Sequence, residues 1–112
     1  MKGIHLRLYT YENRKHHGLL VYEWLLDRAQ KLGIHGGSAF NALAGFGRHG
    51  KVHEQHFFEL AGDEPVLVEF IVTPEEAETF LELLKAEELH LSYAQLPTEY
   101  GVIGEPSSMN RP

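Results

Sequence analysis

The run Pro65-Val66-Leu67-Val68-Glu69-Phe70-Ile71-Val72 passes without a spacer into Thr73-Pro74-Glu75-Glu76, and no other stretch constrains this chain's architecture as strongly. Apart from Glu69, both alternating sets of the octet are apolar. That is the pattern of a strand central in a covered sheet or part of a subunit interface. The next four residues specify a helix start: Thr73 caps it, Pro74 suits its first position and Glu76 completes a capping box. Such a cap contributes about 1 kcal/mol. Ala77, Phe80, Leu81 and Leu84 then recur at helical spacing.

The same test applied upstream gives a strand over Ile4–Tyr11, with Ile4, Leu6 and Leu8 on one side and His5, Arg7, Tyr9 and Tyr11 on the other. Asn13 to His17 reads as a loop ending at Gly18. The period then becomes helical from Leu19 to Leu32, with Val21, Leu25, Ala29 and Leu32 forming a stripe widened by Tyr22 and Leu26. Arg28 and Lys31 complement the negative end of that helix, and Gly33 suits a left-handed stop. Ser38–Phe46 reads as a small apolar strand, Val52–Leu60 as a return to extended chain, 61–64 as a turn, and Leu89–Leu96 as a last strand closed by Pro97. The order is strand, helix, strand, strand, helix, strand. Two helices cover one face of a four-stranded sheet, so the other face is left to solvent or to a second copy.

With 112 residues and 43% apolar content, the chain is long enough to bury a core as one domain. The domain is expected over 1–100, with a polar, mobile tail over 101–112. Cysteine is absent, which excludes disulfides, thiolate metal sites and cysteine nucleophiles, and fits a cytoplasmic location. No stretch has the apolar length of a signal peptide core or a membrane span, so membrane insertion is not expected. A net charge of −6 argues against nucleic-acid binding, which depends on neutralising phosphates. Eight histidines make the surface pH-sensitive, since protonating all eight carries the net charge from −6 to +2. An enzyme is not expected: Ser38 lacks a nucleophile-elbow context and no acid pair stands at a recognisable spacing.

The candidate ligand site is the loop Gly45-Phe46-Gly47-Arg48-His49-Gly50-Lys51, where glycines let backbone amides approach an anion and Arg48 and Lys51 add charge. His49, His53 and His56 form a second constellation, offering imidazoles for zinc or copper. His16 and His17 precede the first helix, where His17 would cap it or touch a phosphate, or simply set local loop geometry. Glu69, a carboxylate in an apolar strand, needs a partner: Arg7, Lys51 or a ligand hydroxyl. Trp24, Tyr22 and Phe80 stand at helical spacing and read as core or interface.

With this element order and Gly45-Phe46-Gly47-Arg48 in view, the chain resembles the PII signalling proteins. Closer still, it is similar to the PII-like family catalogued as a domain of unknown function (number 190). The resemblance spans roughly residues 3–96 and rests further on Gly18 before a helix carrying Leu20, Tyr22 and Glu23, on Gly33 to Gly36, and on the Pro65–Val72 strand with its capped helix. It implies an α+β, ferredoxin-like βαββαβ fold with an antiparallel sheet, assembled as a homotrimer. Adenine nucleotide would bind in the inter-subunit clefts as an effector, with no required cofactor. By carry-over, Gly45, Phe46, Gly47 and Arg48 would line the cleft and Glu69, Phe70 and Ile71 would face it from the neighbouring strand; by their own charge and position, Lys51 and His17 would reach phosphates. A flexible loop over 46–60 would signal to a partner protein such as a membrane transporter. The chain departs from the PII pattern where a second glycine-and-lysine loop is expected, having Lys85-Ala86-Glu87-Glu88-Leu89, and where arginines follow the last strand, having Thr98-Glu99-Tyr100-Gly101. ADP or AMP is therefore expected in preference to ATP. The 45–60 stretch contains no tyrosine, so the tyrosine-modification switch of some PII proteins is not expected. The alternative reading is a trimeric divalent-metal-binding or metal-tolerance protein using His49, His53 and His56.

Overall fold

The computed structural model describes residues 1–45 and 64–104. The expected extended segment over 52–60, most of the turn at 61–64 and the tail from 105 onward lie outside the described residues. Strand β1 (Lys2–Tyr11) leads into a two-strand hairpin, β2 (Lys15–His16) and β3 (Leu19–Leu20), and then helix α1 (Val21–Lys31). Strand β4 (Gly37–Asn41), strand β5 (Pro65–Val72), helix α2 (Pro74–Ala86) and strand β6 (Ser92–Glu99) follow. The four long strands form one antiparallel sheet in the order β4-β5-β1-β6. Leaving the small hairpin aside, this is the ferredoxin-like βαββαβ path.

Alternation along the two central strands decides which side chains are buried. Leu6, Leu8, Val66, Val68, Phe70 and Val72 point to the helix-covered face and are at most 4% exposed. They meet Val21, Trp24, Leu25 and Ala29 of α1 and Ala77, Phe80 and Leu84 of α2 in one core. Phe70 and Phe80 pack edge to face with ring centroids 5.4 Å apart, a geometry that adds to the gain from burial alone. Trp24 and Phe80 are thus core residues, as their spacing indicates.

Both helices end as their sequences dictate. Thr73 accepts from the Glu76 amide at 3.1 Å while the Glu76 carboxylate accepts from the Thr73 amide at 2.9 Å, a complete capping box. At the far end of α1, Gly33 has φ +90°, and the bonds Ile34 N–H to Ala29 O and Gly33 N–H to Gln30 O close a Schellman turn. The α2 terminus uses the same pair of bonds, but the left-handed position is filled by Glu88 at φ +60°.

Three sequence expectations shift. The helix expected from Leu19 begins at Val21, because Leu19 and Leu20 pair with His16 and Lys15 in the hairpin. The strand expected over Ser38–Phe46 is Gly37–Asn41. The last strand lies over Ser92–Glu99 rather than Leu89–Leu96, running through Pro97; β6 is an edge strand, where a missing amide is tolerated. The second face of β5 is also not covered by any of the described residues, and Ile71 is 40% exposed. That uncovered face carries Tyr9, Tyr11, Ile71, Leu96 and Phe40, each more than a third exposed.

Candidate functional site

Near the centre of the uncovered face, His5 Nε2 and Glu69 Oε1 are 3.0 Å apart, each side chain about a third exposed. Strand register places Glu69 opposite Arg7 and Ile71 opposite His5, so this bond crosses the strand pair diagonally. Among the described residues the partner of Glu69 is His5 and not Arg7, while Lys51, the other side chain expected to meet it, lies outside them. The Arg7 guanidinium instead lies 5.9 Å from the Tyr9 ring, and its buried Nε has no hydrogen-bond partner among the described residues. Ile71 shares the open face with Glu69. Phe70 does not: it points into the core at 2% exposure, since strand neighbours alternate.

Gly45 follows β4, whose pairing is extended by the Ala42 N–H to Pro65 O bond. Among the described residues, a Cβ at Gly45 would meet only Pro65 Cγ at 3.7 Å, an ordinary contact. Phe46, Gly47, Arg48 and Lys51, with the histidines His49, His53 and His56, lie outside the described residues.

A second cluster forms where the β2–β3 hairpin meets the end of α2. His17 (φ +52°) and Gly18 (φ +81°) are the two central residues of a tight turn, both left-handed, the geometry that matches strand twist in two-residue hairpins. This turn swings the His17 ring beside that of His16, with centroids 4.1 Å apart. His16 Nε2 and His17 Nε2 lie 2.9 and 3.2 Å from one oxygen, Glu87 Oε1. The His16 ring stands edge-on to Trp24 at 4.9 Å, and Arg14 donates to the His90 carbonyl at 2.7 Å, so the hairpin is strapped to the α2–β6 connection. The hydrogen bond from His16 holds the Glu87 carboxyl below its usual range; partial burial opposes this and His17 adds to it. His17 consequently does not cap α1: the N-cap is Leu20, with no side-chain bond, and the Val21 amide donates to the Arg14 carbonyl.

Sequence reasoning missed His5, His16 and Glu87 as partners. The adjacent histidines before Gly18 were the one visible signal; Glu87 lies 71 residues from His16, and no local pattern joins them.

A four-stranded antiparallel sheet in this order, with two helices on one face, is the ferredoxin-like fold, and solved PII-like proteins share it. Solved structures with this path include CPII, a nitrogen regulatory PII-like protein from Thiomonas intermedia K12 bound to ADP, AMP and bicarbonate. Its TM-score is 0.54 at 19% identity, covering 91% of this chain and 98% of that one. A putative PII-like signalling protein from Thermus thermophilus gives 0.55 at 18% identity, covering 88% and 86%. At these identities the likeness establishes the fold alone. Closer in sequence, a UPF0166 protein of Aquifex aeolicus (strain VF5) is 36% identical over 80 residues, 71% of this chain and 76% of its own length. Residues 3–89 match the family model DUF190, described as "Uncharacterized ACR", and the chain belongs to that family. No helix among the described residues is long and apolar enough to cross a membrane.

Proposed function

We propose that this chain is a non-enzymatic, PII-like regulatory protein that binds ADP or AMP in clefts between the subunits of a homotrimer. The observation that carries the reading is the likeness in chain path to CPII, whose structure is described as bound to ADP, AMP and bicarbonate. The uncovered sheet face supports assembly: exposed Tyr9, Tyr11, Phe40, Ile71 and Leu96 form an apolar surface of the kind that neighbouring subunits cover. Gly45, Phe46, Gly47, Arg48 and Lys51 would hold the nucleotide, with Glu69 and Ile71 facing it from β5. Segment 46–60 would change its order on binding and be read by a partner protein such as a membrane transporter.

The preference for ADP or AMP over ATP rests on the scarcity of cations to meet a third phosphate. Lys85, at the end of α2, is 3.5 Å from Glu82, and Glu87 is engaged by two histidines. Calorimetric titration with each nucleotide tests the reading. ADP or AMP binds more tightly than ATP, and Arg48→Ala weakens ADP about tenfold or more, the worth of a hydrogen bond to a charged group. Unchanged ADP affinity in both Arg48→Ala and Gly47→Val would overturn it.

A further inference from the structure

We propose that His16, His17 and Glu87 form a binding site for a divalent transition metal ion, with zinc as the reference case. The site shares His17 with the residues expected to reach a phosphate, but it does not depend on the nucleotide reading.

The donor set is two imidazoles and one carboxylate, which suits zinc, copper or nickel; magnesium and calcium prefer oxygen ligands alone. The three candidate ligand atoms all lie within 4.8 Å of one another. A tetrahedral ion about 2.0–2.1 Å from each donor holds donors about 3.3 Å apart. The two nitrogen–oxygen separations, 2.9 and 3.2 Å, are already within a few tenths of that value. The remaining adjustment falls on the His17 ring, which is 70% exposed and free to turn. Both nitrogens converge on a single carboxylate oxygen, so one ion replaces two hydrogen bonds without rebuilding the backbone.

The cluster is also held in place by its surroundings. Neighbouring residues of an extended strand point to opposite faces; the left-handed backbone at His17 brings two adjacent imidazoles to one side. His16 is fixed by the edge of Trp24, and Glu87 sits at the closed end of α2. Three protein ligands leave a fourth position open to water or an incoming ligand.

Zinc titration of the full chain by calorimetry, with a competing chelator, tests the site. One ion binds per chain, and it persists when the loop histidines are replaced together (His49→Asn, His53→Asn, His56→Asn). Glu87→Gln and His17→Asn each weaken it at least about tenfold, the scale of disturbing a metal's surroundings. Asn tolerates the left-handed backbone, so the hairpin survives in that variant. Absence of stoichiometric binding in the wild type, equal affinity in both ligand variants, or loss of binding with the loop histidines would each overturn the site. Copper-loaded loop variant gives a readout free of ligand mutations: electron paramagnetic resonance shows coupling to two imidazole nitrogens, and any other number contradicts the assignment.

Discussion

Gly37 sits opposite Phe70 in the β4–β5 ladder, on the helix-covered side of the sheet. A Cβ there would clash with the Cδ1–Cε1 edge of the Phe70 ring, 2.5 Å from Cδ1, and lie 3.2 Å from Leu26 Cδ2. Gly37 is itself exposed, but Gly37→Ala presses a methyl group against the buried Phe70 ring, and overpacking of this kind costs about 1–3 kcal/mol. The Phe70 ring is buried and backed by Phe80, so it cannot swing freely. A cleft of about 230 Å³ beside it, lined by Leu26, Ile34, Gly37 and Phe70 among others, gives the ring some room and places the cost near the lower end, about 1–2 kcal/mol. For a chain of this length that lowers Tm by about 4–8 °C, measurable by calorimetry or circular dichroism. Gly36→Ala is the control, because its Cβ meets nothing within 4 Å among the described residues; it is neutral or slightly stabilising. In a double-mutant cycle, Phe70→Leu removes part of the clash, so the cost of Gly37→Ala shrinks in that background. Equal Tm values for Gly37→Ala and Gly36→Ala, or additive effects in the cycle, would refute the steric argument.

Glu88 fills the left-handed position of the α2 Schellman turn, a backbone conformation that costs an L-residue about 1–2 kcal/mol. Glu88→Gly relieves that strain at some cost in unfolded-chain entropy, for a net gain of about 0.5–1 kcal/mol and a Tm increase of about 2–4 °C; a fall in Tm would contradict it. The lowered pKa of Glu87 makes stability pH-dependent with a definite sign. A carboxyl depressed in the folded state contributes above its unfolded pKa and loses that contribution as pH falls through the folded value. Wild type is therefore more stable than Glu87→Gln at neutral pH, and the gap closes on acidification through the carboxylate range; a gap constant with pH in parallel melts would count against the His16 bond.

Much of the fold was legible because local rules and tertiary packing agree. The β1 alternation separates buried Leu6 and Leu8 from exposed Tyr9, and Thr73-Pro74-Glu75-Glu76 starts α2 where it indicates. The failures come where pairing overrides local pattern. Leu19 and Leu20 fit a helical stripe, yet they serve as a hairpin strand because His17-Gly18 turns the chain back. Pro97 looks like a strand terminator, but the register with β1 carries β6 through it to Glu99. Glu69 was correctly singled out as needing a partner; choosing His5 over Arg7 required the geometry of the sheet, because both lie within reach on the same face. The His16–His17–Glu87 cluster joins residues from opposite ends of the chain, and periodicity carries no information about that.

The central claim is an adenine nucleotide held between subunits, and native mass spectrometry of the full chain with ADP tests it most directly. The expected result is a trimer that takes up one ADP for each inter-subunit cleft, with Arg48→Ala leaving the trimer intact and its ADP occupancy reduced. A chain that stays monomeric, or a trimer that takes up no ADP, would contradict it.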